Sequence, residues 1–178
     1  MKSGELRINK MLQETCKTDI PQMLEIADVV QEGKWQKSFF FKHSIDSKPG
    51  QFVMVWIPGV DEKPMAVSYR NKKEFAFTSQ AIGKGTNALD KMKKGDKVGI
   101  RGPYGNSFST KTRHGERVSV NERARGELSH VTACVVAGGV GLSSVSTLID
   151  ALKNPLIIYG ARSKEYLIYL KRYKNKNM

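Results

Sequence analysis

The feature that most constrains the fold is a strand, glycine turn, helix and strand in the last quarter of the chain. The apolar run 133–136 leads into Ala137-Gly138-Gly139-Val140-Gly141-Leu142, and a second apolar run, 156–159, leads into Gly160-Ala161-Arg162-Ser163. This arrangement opens a nucleotide-binding α/β domain. A doubly wound domain needs at least two such units, yet the sequence given continues only from Lys164 to Met178. The pattern therefore predicts an incomplete Rossmann-like nucleotide-binding domain over 131–178.

The first half of the chain has the pattern of a small all-β unit. Short apolar runs, each bounded by turn residues, predict six strands at 23–30, 38–42, 51–57, 65–69, 74–79 and 97–100. One helix interrupts them at about 86–94, with Thr86 as its N-cap and Gly95 as its stop. Strands at this spacing predict a six-stranded antiparallel barrel over 20–108. The fold class is thus β-barrel plus α/β, with an N-terminal arm (1–19) and a polar insertion (109–130).

Charge and hydropathy exclude some classes of function. The 178 residues include 30 Lys and Arg against 17 Asp and Glu, a net charge of +13. Such an excess is typical of nucleic-acid binders, but the basic residues are spread along the chain, and no zinc-finger spacing or RNA-binding aromatic motif accompanies them. We expect no nucleic-acid partner. No run approaches the ~18 apolar residues of a membrane span and no signal peptide is seen, so we expect no membrane partner and a cytoplasmic location.

Cysteine and histidine are too few for a metal centre or a disulfide framework. The chain has Cys16 and Cys134, and we expect the first to be exposed and the second to be a buried core thiol. Its three histidines show no ligand spacing. No nucleophile–base pair is present, so the sequence predicts no metal site and no catalytic residue.

Several segments, taken in order, resemble the flavin-reductase family related to ferredoxin–NADP reductase. They are Pro49-Gly50-Gln51-Phe52-Val53, Lys63-Pro64-Met65-Ala66-Val67-Ser68, Gly83-Lys84-Gly85-Thr86, Gly102-Pro103-Tyr104-Gly105 and Ala137-Gly138-Gly139-Val140-Gly141. Within that family the runs 50–59, 61–65 and 160–164 are similar to the electron transfer subunits of dihydroorotate dehydrogenase B. The resemblance covers roughly 20–108 and 131–172.

The resemblance implies two cofactors and a partner. FAD is expected on the barrel, NADH on the second domain, and a catalytic dihydroorotate dehydrogenase subunit or similar flavoenzyme as electron acceptor. The FAD residues implied are Lys63, Pro64, Met65, Ala66, Val67, Ser68, Gly83, Lys84, Gly85 and Thr86. Those implied for the pyridine nucleotide are Gly138, Gly139, Val140, Gly141 and Arg162. A pyrophosphate is bound well by backbone N–H groups at a helix start, which both glycine turns supply.

The sequence departs from the family at several points. The four-cysteine segment that holds a two-iron cluster is missing, so we expect no iron–sulfur cluster in this chain. Lys63 replaces the usual Arg and Ala66 the usual Ser or Thr, which predicts weaker flavin binding. The NAD(H) site is expected to be incomplete, so that the chain alone oxidises little NADH. The C-terminal half of the chain is expected to be mobile or covered by another chain, because a possible second helix at 165–173 has an apolar face.

Two other functions stay open on the sequence alone. The chain could be a redox-inactive docking module, since glycine turns also serve strand–helix packing without a ligand and Arg162 could be a solvated surface cation. It could also be an electron transfer subunit of another oxidoreductase, of the sulfite reductase or hydrogenase type, because these share the barrel and both glycine turns.

Overall fold

The computed structural model describes residues 19–108 and 133–176, in two connected parts. The predicted insertion 109–130 and the predicted arm, apart from Asp19, lie outside these residues. The first part is a curled antiparallel sheet of β1 (Gln22–Glu25), β2 (Asp28–Gln31), β3 (Gln36–Phe41), β4 (Phe52–Ile57), β5 (Asp61–Arg70), β6 (Phe75–Gln80) and β7 (Lys97–Tyr104), with helix α1 (Lys84–Lys91) between β6 and β7. The second has parallel strands β8 (Ala133–Gly138) and β9 (Pro155–Gly160), with helices α2 (Leu142–Ala151) and α3 (Leu170–Tyr173). The predicted class, a β-barrel followed by an α/β unit, is confirmed.

The curled sheet has seven strands, whereas the sequence predicts six. Its order is β1-β7-β4-β5-β6-β3-β2, so the two edge strands, β1 and β2, follow each other directly in the chain. The N–H of Ile26 donates to the carbonyl of Asp96 at 2.8 Å, and the N–H of Ala27 donates to the carbonyl of Phe40 at 2.8 Å. The predicted strand at 23–30 therefore changes partner at Ile26–Ala27 and counts as two.

Alternation along the strands builds the barrel core. On β3 and β6 the aromatic side chains of Phe39, Phe41, Phe75 and Phe77 are fully buried. The Phe41 ring lies 5.1 Å from that of Phe75 and 5.6 Å from that of Phe77. Since successive side chains of a strand point to opposite faces, the intervening residues point to the outer face of the barrel.

β5 carries the predicted flavin segment and bends across the barrel. Its first half pairs with β4, from Asp61 opposite Ile57 to Ala66 opposite Phe52. Its second half pairs with β6, after a shift of register between Val67 and Tyr69. The same strand thus belongs to both halves of the curled sheet, and residues 63–68 span the change.

The barrel helix begins earlier than the sequence predicts. α1 begins at Lys84 after an N-cap at Gly83, so Thr86 is the third helical residue and not the N-cap. Its hydroxyl instead accepts from the N–H groups of Ile82 and Gly83, each at 3.0 Å. Gly95 follows the helix with φ +96°, and its N–H donates to the carbonyl of Ile26 at 2.9 Å.

The Gly102-Pro103-Tyr104-Gly105 segment, whose composition is typical of a tight turn, is largely strand. β7 continues through Tyr104, which lies opposite Phe52 beyond an irregularity in the register. The turn itself comes at Gly105, with φ +82°. A run of Gly and Pro reads locally as a turn, but pairing with β4 keeps this one extended.

The α/β unit covers only one face of its two-stranded sheet. β8 and β9 run in parallel, with Gly138 opposite Gly160, and α2 is the helix that the sequence predicts between the two apolar runs. Val135 and Ile157 are buried in the cluster that α2 completes. On the other face Val136 is 71% and Ile158 53% exposed.

Cys134 lies on that open face and is an exposed free thiol. The prediction of a buried core thiol is wrong, because an apolar run shows that a strand is buried but not on how many sides.

The last described segment is not one helix, as predicted for 165–173, but two short pieces. A 3₁₀ turn (Lys164–Tyr166) and α3 are separated by Tyr169, whose φ is +61°. Ile168, Tyr169 and Tyr173 are buried. Of the predicted apolar face only Tyr169 is buried, whereas Leu170 is 44% exposed. None of the described helices is long and apolar enough to cross a bilayer.

Candidate cofactor site

Residues 63–68 present two kinds of side chain. Met65 and Val67 are buried in the barrel core, whereas Pro64 is exposed and Ala66 is half-buried on the outer face. The N–H of Val67 donates to the carbonyl of Gln51 at 3.1 Å. The face that this strand can offer to a ligand is therefore small and apolar, centred on Pro64 and Ala66.

The predicted phosphate turn, Gly83–Thr86, lies against the start of β5. A Cβ atom added to Gly85 would lie 3.0 Å from Oδ2 of Asp61, so the first turn of α1 touches β5 there. Nζ of Lys63 lies 2.9 Å from the same Asp61 oxygen. The structure thus brings together the two segments that the sequence predicts to hold one cofactor.

Asp61 is a residue of this site that the sequence reasoning missed. A hydrogen bond from Lys63 and another from the N–H of Glu62 lower the pKa of the Asp61 carboxyl, and Lys84 acts in the same direction. The signal in the sequence was its spacing, since Asp61 and Lys63 are two apart on one strand and so face the same way.

These contacts test whether the site suits a phosphate. The lowered pKa of the Asp61 carboxyl shows that Lys63 and Lys84 together favour a negative charge at this place. The first N–H groups of a helix have no partner within the helix and attract negative charge. A pyrophosphate offers the same kind of acceptor, so the residues present fit the phosphates of FAD.

The second glycine turn follows β8 and has free space around it. Residues 139–141 form a 3₁₀ turn in which Gly139 has φ +51°. Cβ atoms added at Gly138, Gly139 or Gly141 would meet no atom of residues 19–108 or 133–176 within 4 Å. The turn contacts β6, the strand that precedes the Gly83–Thr86 turn in the chain. A ligand can therefore approach the main chain of this glycine turn closely.

Arg162 lies just beyond the end of β9, at the same edge of the sheet as the glycine turn. It is exposed to solvent. Its guanidinium lies 4.1 Å from the centre of the Tyr166 ring and hydrogen-bonds to the Tyr166 hydroxyl. Tyr166 thus holds in place a cation that can face a phosphate bound at the turn.

The contact between the two parts was not visible in the sequence. A cleft of about 620 Å³ lies between the outer face of the barrel and the C-terminal segment, and Phe40, Tyr69 and Arg172 contribute to its lining. Beneath it is a group of hydroxyls. The Ser38 hydroxyl donates to Glu32 at 2.8 Å and lies 2.7 Å from that of Thr78, which also bonds to Tyr169.

Burial governs the protonation of the two acidic members of this contact. It raises the pKa of Glu32, although the Ser38 hydrogen bond and Arg172 partly offset it. Burial likewise raises the pKa of the Tyr169 hydroxyl, which therefore stays protonated at neutral pH.

Within residues 19–108 and 133–176 no cluster of three or more His, Cys, Asp or Glu could hold a metal ion.

Comparison with solved structures defines the class of fold. The FAD/NAD-binding domain of a nitric oxide dioxygenase from Vibrio cholerae aligns over 88% of this chain and 69% of its own, with a TM-score of 0.70 and 15% identity. Phthalate dioxygenase reductase aligns over 91% of this chain and 49% of its own, with a TM-score of 0.65 and 16% identity. The fold is therefore of the ferredoxin reductase type.

Comparison with curated sequences is more specific. Three relatives are each named "probable dihydroorotate dehydrogenase B (NAD(+)), electron transfer subunit". The protein of Methanocaldococcus jannaschii is 34% identical over 86% of this chain and 53% of its own length. That of Methanocella arvoryzae is 38% identical over 73% and 43%, and that of Thermoplasma acidophilum 33% identical over 87% and 54%.

The chain is thus a homologue of the dihydroorotate dehydrogenase B electron transfer subunits. It spans about half the length of the curated relatives it matches. No protein-family model matches the sequence.

Proposed function

We propose that this chain is a FAD-binding electron transfer subunit that passes electrons from NADH to a partner flavoenzyme in pyrimidine biosynthesis. The proposed partner is a catalytic dihydroorotate dehydrogenase subunit or a similar flavoenzyme. The observation that carries the proposal is the convergence of Lys63, Lys84 and Gly85 beside the start of α1. The names of the curated relatives point the same way.

Each part of the proposed FAD site has its own task. Lys63 and Lys84 neutralise phosphate charge, and the first N–H groups of α1 bind phosphate oxygens. Pro64 and Ala66 supply the apolar outer face on which a flat ring can rest. When bound, FAD supplies the ability to take two electrons from a nicotinamide and release them one at a time.

The second glycine turn is proposed to hold the pyrophosphate of NAD(H), with Arg162 facing a phosphate or ribose. The chain is further proposed to hold no iron–sulfur cluster, since such a cluster takes four ligands, usually thiolates, and the sequence has two cysteines. The proposed location is the cytoplasm.

Reconstitution with FAD tests the cofactor directly. We expect protein incubated with FAD and then desalted to keep a flavin spectrum. Lys63→Gln should raise the dissociation constant of FAD about tenfold, because hydrogen bonds to charged groups contribute roughly 1.5–3 kcal/mol. Lys72→Gln, on the exposed hairpin between β5 and β6, is the matched control and should bind FAD as the unaltered chain does. A desalted protein without flavin absorbance would contradict the proposal.

Anaerobic stopped flow tests the electron path. NADH should bleach the bound FAD of this chain slowly, because in the part of the chain that the structure describes the proposed NAD(H) site rests on two strands, β8 and β9. Bleaching at rates typical of enzymes, roughly 1–1000 per second, would show that the site is complete as it stands. Flavin reduced by dithionite should then be reoxidised by the catalytic dihydroorotate dehydrogenase subunit, and failure to do so would contradict the proposed partner.

A further inference from the structure

We propose that Arg172 is a positioning residue that ties the nucleotide half of the chain to the Ser68 end of β5 and so fixes the strand that carries the flavin site. The consequence for flavin rests on the proposed function, whereas the tie itself rests on contacts within the chain.

Arg172 joins three elements through one guanidinium. Its Nη1 donates to the carbonyl oxygen of Ser68, on β5, at 3.0 Å. Its Nη2 bonds to the carboxylate of Asp150, on α2. Because Arg172 itself belongs to α3, its side chain links both helices of the nucleotide half to the barrel.

Aromatic rings enclose the guanidinium on several sides. Its central carbon lies 5.5 Å from the ring centre of Tyr69, 5.1 Å from that of Tyr169 and 5.3 Å from that of Tyr173. The Arg172 side chain keeps 24% of its accessible surface. A planar cation that donates in two directions and stacks on rings suits this place, whereas a lysine is a single point charge.

Within the described residues the carbonyl of Ser68 has one other donor from the nucleotide half, and that donor is shared. The hydroxyl of Ser146 lies 2.6 Å from the Ser68 carbonyl and 2.7 Å from the Ser143 carbonyl. A hydroxyl has one proton for these two acceptors. Arg172, which is charged and has five N–H donors, is therefore the stronger tie.

The position of Ser68 explains why this tie concerns the cofactor. Ser68 is the last residue of the predicted flavin segment, and Ala66, two residues earlier, is half-buried on its outer face. Beyond Val67 the register of β5 against β6 is irregular, so ladder pairing fixes this end of the strand less firmly. A donor held by α2 and α3 supplies the missing constraint.

Three substitutions distinguish the loss of the Arg172 tie from a general loss of stability. Arg172→Ala removes both bonds, Arg172→Lys keeps the charge but reaches one acceptor, and Asp150→Asn leaves the bond to Ser68 in place. Lys174→Ala, two residues further and exposed, is the control. FAD affinity, the visible circular dichroism of bound flavin, and hydrogen exchange of the protein without FAD are measured for each.

We expect Arg172→Ala to weaken FAD binding about tenfold, the scale of one lost hydrogen bond to a charged group, and to change the visible circular dichroism. Arg172→Lys should lose less, while Asp150→Asn and Lys174→Ala should resemble the unaltered chain. Without FAD, amides at 66–70 should exchange about tenfold faster in Arg172→Ala, with no change at 52–57.

Unchanged exchange at 66–70 in Arg172→Ala would overturn the inference, whatever the cofactor result. So would unchanged FAD affinity and dichroism in that variant when the unaltered chain binds FAD. Failure of the unaltered chain to bind FAD would instead contradict the proposed function, and the exchange measurement would still decide whether Arg172 ties the two halves.

Discussion

Gly83 and Gly85 lie two residues apart in the phosphate turn but differ in the room around them. A Cβ added at Gly83 would meet no atom within 4 Å, whereas one at Gly85 would press on Asp61. We expect Gly85→Ala to displace the Asp61–Lys63 pair and weaken FAD binding several-fold, on the scale of about 1 kcal/mol for a small overpacking strain. Gly83→Ala should bind FAD normally. Equal affinities in calorimetric titrations of the two variants would contradict the contact.

Thr86 is expected to act through its hydroxyl and not through its shape. The hydroxyl accepts from two N–H groups and lies 3.1 Å from the carbonyl of Gly83. Thr86→Val keeps the shape and should lower the free energy of unfolding by about 1–2 kcal/mol, the scale of losing side-chain hydrogen bonds to the free N–H groups at a helix start. Thr86→Ser should stay close to the unaltered protein in urea unfolding. A Val variant as stable as the Ser variant would show that the cap contributes little.

At the scale of elements, β9 offers a matched pair of neighbouring isoleucines. Ile157 is 2% exposed beneath α2, and Ile158 is 53% exposed on the open face. Ile157→Thr should cost about 2 kcal/mol or more, because it buries a hydroxyl and removes packing. Ile158→Thr should stay within about 0.5 kcal/mol. Thermal unfolding measures both, and a large loss from Ile158→Thr would mean that its face is covered in solution.

Elements with a strong local pattern were predictable, and divisions imposed by tertiary contacts were not. A continuous apolar run between two Pro-Gly turns predicts β4, and the glycine–helix pattern predicts α2, because neighbours within each segment define it. The division at Ile26–Ala27 could not be predicted, because no Gly or Pro marks it. Its cause is a change of pairing partner from β7 to β3. The break before α3 depends likewise on Tyr169, which packs against the barrel.

At the scale of the whole molecule, the contact between the two parts contains a group that titrates. Because burial raises the pKa of Glu32, the folded chain keeps this proton to higher pH than the unfolded chain does. The free energy of unfolding should therefore fall as pH rises from the ordinary glutamate range to the raised value. Glu32→Gln retains an acceptor for Ser38 and cannot titrate.

We therefore expect Glu32→Gln to have the higher melting temperature at neutral pH, and this advantage to shrink toward pH 4. Glu25→Gln, exposed on β1, is the control. If the difference in melting temperature between Glu32→Gln and the unaltered protein stayed the same across this pH range, the burial of Glu32 would be contradicted.

The candidate site was predictable only as two separate segments. Each glycine turn is local, whereas their common anchor, Asp61, and the tie through Arg172 depend on which strands lie side by side. A linear pattern contains no information on the distance between residues 68 and 172. For the same reason the cleft between the two parts could not be anticipated.

The barrel is closed by the stretch of chain that runs from β1 into β2, and this dictates an order of assembly during synthesis. β2 can pair with β3 as soon as both have left the ribosome, but β1 must wait for β7, where Gln22 meets Ile100. Until then the side of the barrel where β1 and β7 will pair stays open to water, even after Phe41 has packed on Phe75 and Phe77 of β6. The nascent barrel is therefore most exposed to aggregation before residue 100 emerges, and a translational pause placed after that point would protect it, whereas one placed before it would not.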